Sequence, residues 1–167
     1  PPIGGFGRVL VAGVGNVFLS DDGFGSEVAR RLATMPLPPG VVVTDYGIRG
    51  MHLAYDLLDG AAALVLVDAL PGDADPGTIT VLEVGTEDLG QEDFDAHGME
   101  PVAVLASLGS LGGTLPPTYV VGCRPENLDE GIGLSAVVAD AVPAAMQTVT
   151  ELVQRLAAVP ATPIGRS

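Results

Sequence analysis

The sequence contains no lysine, no tryptophan and only one cysteine in 167 residues. Each scarcity removes a class of function. A Walker-type phosphate loop needs a lysine to reach the phosphates, so that reading is excluded. All seven basic residues are arginine, set against 21 acidic ones, for a net charge of −14. Nucleic-acid binding requires a basic face and is excluded too; a cation or a basic peptide is the natural partner. The single Cys123 allows no intrachain disulfide and no multi-thiolate metal site, and a lone cysteine usually behaves as a small buried hydrophobe. Aromatic residues make up only 4% of the chain, so the core has to be built from Val, Leu and Ala. No uninterrupted apolar run approaches the ~20 residues of a membrane span, and no membrane partner is expected. The opening Pro1-Pro2-Ile3-Gly4-Gly5 lacks the charged-then-apolar pattern of a signal peptide. It reads as a trimmed or disordered leader on a soluble, cytoplasmic protein.

What is present is a chain that is 47% hydrophobic and 17% charged, long enough for one domain with a substantial core. One domain is expected over residues 1–167, flexible at 1–7 and 160–167, and monomeric. The apolar run Arg8–Val14 reads as a first strand, followed by a glycine-rich turn and a helix from about Asp22 to Thr34, whose Phe24, Val28 and Leu32 form a buried stripe. Val41–Tyr46 is a β-branched second strand. Met51, Ala54, Leu57 and Leu58 mark a second helix. Ala61–Val67 is almost wholly apolar, as in a strand covered on both faces. Thr78–Val84 alternates and follows a short turn, which predicts an antiparallel strand. After an acidic irregular stretch, Pro101 opens a third helix to about Leu111. Thr118–Cys123 is the last strand. Ser135 is placed to cap a short helix that Pro143 interrupts or kinks, and Val149, Leu152, Val153 and Leu156 mark the final one. Strands alternating with helices imply an α/β fold with a mainly parallel sheet between helical layers.

In an open α/β sheet, ligands sit outside the carboxyl ends of the strands. Three chemical candidates fall at that edge. Asp22 follows the first strand, Asp68 ends the third, and His97 precedes the third helix. Two carboxylates and one imidazole suit a divalent transition metal with positions left open for substrate or water. The competing reading makes the carboxylates capping, turn or solvated residues; of the adjacent pair, one of Asp21 and Asp22 caps the helix and the other faces water. Asp45 ends the second strand and borders the same cleft, or simply holds the following turn. His52 lies within the second helix and is read as structural. Gly13-Val14-Gly15 has Phe18 where a dinucleotide fingerprint needs its third glycine, and there is no GxSxG elbow.

Five segments in order then resemble one family. Gly13-Val14-Gly15-Asn16 with Asp21-Asp22-Gly23-Phe24-Gly25 is similar to the opening signature of the [NiFe]-hydrogenase maturation endopeptidases. Asp45–Met51, Val67-Asp68-Ala69, His97–Val102, and Gly122–Glu126 followed by Gly133-Leu134-Ser135 resemble their later motifs. The resemblance implies a three-layer α/β/α sandwich around a twisted, mostly parallel sheet. It also implies removal of a C-terminal extension from the hydrogenase large-subunit precursor after nickel insertion. The family's metal positions fall on Asp22, Asp68 and His97, which are the expected catalytic and metal residues, with Asp45 a further catalytic candidate that assists water. Nickel, carried by the precursor, is the expected metal, with cadmium or zinc as stand-ins. Asp22 stands where some members have Glu, and Arg124 where many have an uncharged or acidic residue. A non-catalytic, nickel-dependent checkpoint that binds the immature subunit is the alternative function.

Overall fold

A computed structural model of the chain describes residues 8–84, 108 and 112–158. Its sheet has five strands: β1 (Val9–Val14), β2 (Val41–Gly47), β3 (Ala63–Ala69), β4 (Ile79–Val84) and β5 (Thr118–Cys123). They lie in the order β2-β1-β3-β5-β4. β1 pairs in parallel with β2 and β3, and β3 in parallel with β5; β4 alone runs antiparallel, against β5. The antiparallel sense of β4 matches the expectation, but the geometry behind it differs. The segment after β3 does not fold back as a hairpin: β5 lies between β3 and β4, so β4 occupies the edge.

Among the described residues the helices are α1 (Phe24–Leu32), α2 (Gly50–Leu58) and α3 (Ala136–Ala158), with a 3-10 turn at Ser20–Gly23 leading into α1. Alternation along the strands divides the core. Val9 and Val11 of β1 and Ala63, Val65 and Val67 of β3 pack with the apolar stripes of α1 and α3. Leu10, Ala12, Leu64 and Leu66 pack on the other face with Leu53 and Leu57 of α2. Side chains on a strand point alternately to opposite faces, and a sheet covered on both sides needs apolar residues at every position. Phe24, Val28 and Leu32 are all fully buried, as their spacing predicts. Each contributes about 1.5–3 kcal/mol relative to remaining in water.

Beyond shifts of one or two residues at element ends, three features depart from the sequence reading. β3 starts at Ala63 and runs through Asp68 to Ala69, so Asp68 is held in the sheet, paired in register with Gly122. α3 is continuous through Pro143, so the helix is not interrupted there. The ring removes one N–H, while Val138, Val142, Ala145, Val149, Leu152 and Val153 fasten the helix to the core on both sides of it. Tertiary packing outweighs the local defect here. By length and composition α3 would also pass for a membrane span, with mean hydropathy 1.2, but its apolar stripe faces the sheet. Finally, the Ser135 carbonyl accepts the Ala139 N–H as a helix-opening residue should, but its hydroxyl donates to Asp21 Oδ2 at 2.9 Å. The expected third helix and the acidic stretch with His97 lie outside the described residues.

Candidate active site

The site is built on the turn that leaves β1. Gly15 has φ +135°, and a Cβ there would lie 2.0 Å from the Asp22 carbonyl oxygen and 3.4 Å from Asp68 Oδ1. Only glycine fits between these two groups. Gly25, at the start of α1, is similarly required: a Cβ would meet the Val67 carbonyl oxygen at 2.0 Å and that of Val14 at 2.5 Å. The glycines thus bring the helix start down onto β1 and β3.

The Asn16 N–H donates to Asp22 Oδ2 at 2.8 Å, and Asn16 Oδ1 accepts the Phe18 N–H at 2.9 Å. The turn therefore holds Asp22 from its own backbone. Asp68 is only 6% exposed, and its Oδ1 accepts the Ala69 N–H at 2.8 Å. Burial, and then the nearby charge of Asp22, push the Asp68 carboxyl well above the usual carboxylate range. The ion pairs among the described residues are those of Glu27 with Arg30 and Arg31, away from this pair. Two neighbouring carboxylates with no ion pair to either among the described residues can be relieved by a shared proton or by a bound cation.

Asp45 borders the same sheet edge. The β1–β2 register steps from Gly13↔Asp45 to Val14↔Gly47, so Tyr46 is an extra residue that bulges the strand end. Asp45 Oδ1 accepts the Ser26 hydroxyl at 2.7 Å and the Gly47 N–H at 3.0 Å. It holds the turn and ties β2 to α1. Arg49 donates to the Asp45 and Tyr46 carbonyls at 2.8 and 3.1 Å, bracing the loop from outside. His52 is exposed on α2. The structure thus brings Asp22 and Asp68 together and sets Asp45 on the flank; His97 falls outside the described residues. Among the described residues no group of three metal-ligating side chains forms.

Asp21 is the residue that sequence reasoning missed. It is fully buried and neither caps α1 nor faces water. Its Oδ1 accepts the Ser135 N–H at 2.7 Å, and Oδ2 accepts the Glu126 and Asn127 N–H groups and the Ser135 hydroxyl, each at 2.9 Å. Burial opposes the charge, but these donors outweigh it and hold the Asp21 carboxyl below the ordinary value. The Asp21 N–H also donates to the Asn127 carbonyl at 3.0 Å. The turn that presents Asp22 is therefore clamped to the loop after β5. Cys123, in the same region, has its thiol raised to about 11 by burial and then by the Asp21 charge, which makes it a poor nucleophile. Two open hollows, of about 580 and 450 Å³, lie against α3, lined by residues such as Val81 and Leu152 or Met35 and Met146. Neither includes the carboxylates.

These features define an α/β/α sandwich with a paired-carboxylate centre at the carboxyl edge of a mixed sheet. A family model described as hydrogenase maturation protease matches residues 26–152. A Methanocaldococcus jannaschii protein whose name assigns it to hydrogenase maturation is 34% identical over 146 residues, 84% of this chain and 93% of its own. The hydrogenase 2 maturation protease of Escherichia coli is 30% identical over 145 residues, 85% of this chain and 88% of its own. The solved structure of the E. coli hydrogenase maturating endopeptidase HybD superposes with a TM-score of 0.76 at 28% identity, covering 89% of this chain and 93% of that one. The chain belongs to the hydrogenase maturation protease family.

Proposed function

We propose that this protein is a cytoplasmic, metal-dependent endopeptidase that removes the C-terminal extension of a [NiFe]-hydrogenase large-subunit precursor after nickel has been inserted. The observation that carries this reading is the Asp22–Asp68 pair, held rigidly at the sheet edge of a maturation-protease fold. One member is buried and its ionisation is opposed by its neighbour. A divalent cation between them would relieve that repulsion, so the donor set fits a hard or borderline metal. His97 is the proposed third ligand. The nickel is cargo of the precursor and thus part of the substrate; a metal held there would polarise a carbonyl or activate water. The chain's own residues supply position. Asp68 stands on a strand, Asp22 on a turn clamped by Asp21, and Asp45 steadies the end of β2. Such stiffness matters when reacting groups must be held to within about 0.5 Å.

The test is incubation of purified protein with nickel-loaded and nickel-free precursor, followed by mass measurement of the products. Shortening of the nickel-loaded precursor alone is expected. Asp68→Asn and His97→Ala should lose it, while His52→Ala should cleave normally. Tight binding of nickel-loaded precursor without any change in its mass would overturn the proteolytic reading in favour of a checkpoint. Loss of cleavage in His52→Ala with retention in the other two would move the centre to α2.

A further inference from the structure

The turn that presents Asp22 and the loop after β5, clamped to it through Asp21, carry large apolar side chains into solvent. Phe18 is 63% and Ile132 79% exposed, and Val17 and Leu128, on the same two segments, are exposed as well. A parallel bridge joins Leu19 to Gly131, and Phe18 and Ile132 are each one residue from it. The Gly131 N–H donates to the Phe18 carbonyl at 2.9 Å, and the Ser20 N–H to the Gly131 carbonyl at 2.8 Å. The Ser20 hydroxyl donates to the Asp129 carbonyl at 2.7 Å. With the Asp21 clamp beneath, this pair of loops is stitched into one rigid ridge. Ser20 is also the one non-glycine residue with positive φ, +53°, among the described residues. A conformation of that kind persists when its surroundings over-determine it.

The ridge is continuous with the candidate centre: Phe18 bonds Asn16, and Asn16 bonds Asp22. It is bordered by exposed Glu126, Asp129 and Glu130. The one basic residue of the loop, Arg124, is engaged with the Ala74 carbonyl at 2.9 Å. Large apolar groups held rigid in water inside an acidic border match a polypeptide segment in which an apolar side chain is flanked by arginine or lysine. A second copy of this chain would bring its own charge of −14 and the same acidic border, and an anionic lipid surface would be repelled as well.

We infer that Phe18 and Ile132 form a docking ridge for an apolar residue flanked by basic ones in the precursor, next to the bond to be cut. This rests on the proteolytic reading above. The ridge grips the chain while Asp22 and Asp68 meet the metal-bearing end. Its acidic border makes the association sensitive to salt.

The test measures both affinity and cleavage of nickel-loaded large-subunit precursor for Phe18→Ser, Ile132→Ser, the double variant and the triple variant E126Q/D129N/E130Q. Val81→Ser, exposed on β4, serves as control, and circular dichroism checks each fold. Each ridge substitution should weaken binding by about 10-fold. The rise should fall on Kd and KM, with kcat little changed, and Phe18→Leu should recover most of the loss. The triple variant should flatten the salt dependence. Double-variant affinity and KM within about twofold of wild type, with wild type cleaving normally, would overturn the ridge and leave the proteolytic reading intact. A wild-type protein that neither binds nor cuts the precursor would remove both. A dimer in sedimentation that Phe18→Ser dissociates would assign the ridge to a second copy instead.

Discussion

Asp21 and Asp68 are both buried carboxylates at the same edge of the sheet, and their surroundings drive them in opposite directions. Asp21 is met by three backbone N–H groups and a hydroxyl. Asp68 receives one N–H, from its own neighbour, and stands near a second carboxylate. The first is stable as an anion and has nothing left to offer a ligand. The second is strained as an anion, and a cation would relieve that strain. Burial by itself does not separate a structural carboxylate from a functional one; the number of donors already spent on it does.

The largest expected effect tests the structural member of the pair. Asp21→Ala leaves three buried N–H groups without an acceptor, and should destabilise the protein by about 3–5 kcal/mol in denaturant titration. A loss under about 1 kcal/mol would mean that the two loops hold together without the clamp. Asp68→Asn should behave in the opposite way. It removes a disfavoured charge, so the midpoint of thermal unfolding should stay level or rise, by about 2–4 °C for each 1 kcal/mol gained. Precursor processing should meanwhile fall by about 100-fold or more. A variant with lowered stability and intact processing would reverse the assignment of the two residues.

The pH dependence of stability sharpens the contrast. The ordinary value for both groups is 3.8. Asp21 is lowered on folding, so its contribution is present above pH 3.8 and is lost as pH falls through the lower folded value. The advantage of wild type over Asp21→Asn should therefore shrink on strong acidification. Asp68 is raised on folding, so its cost appears as pH rises above 3.8 and is complete above the raised folded value. The advantage of Asp68→Asn should vanish at low pH. Unfolding free energies across a pH series check both slopes, and parallel slopes would show that the two environments do not differ as described.

Smaller effects are expected away from the edge. Pro143 sits exposed in α3 without a backbone donor, and Pro143→Ala should gain about 1–3 kcal/mol in denaturant unfolding with cleavage unchanged. His52→Ala, at an exposed site of α2, should stay within about 0.5 kcal/mol of wild type.

The class of fold was legible in the chain, as was the placing of Asp22 and Asp68 at the carboxyl edge of the sheet. Both are encoded over short windows. Period-two and fully apolar runs mark β1, β3 and β5, the four-residue spacing of Phe24, Val28 and Leu32 marks α1, and a carboxylate at the end of an apolar strand has one edge on which to emerge. The different surroundings of Asp21 and Asp22 come from the assembled chain alone. Asp21 and Asp22 are adjacent and chemically identical, and the partners that distinguish Asp21 include Ser135, 114 residues further along the chain. Nothing local announces such a bond, because it depends on which loops the strand order brings together. The same holds for β5, which enters between β3 and β4 although a short turn after β3 invites a hairpin. It holds again for Pro143, a helix breaker by local chemistry that buried neighbours on both sides keep within one continuous helix. Hydrophobic pattern is a property of a segment, whereas the satisfaction of a buried charge belongs to the assembled chain.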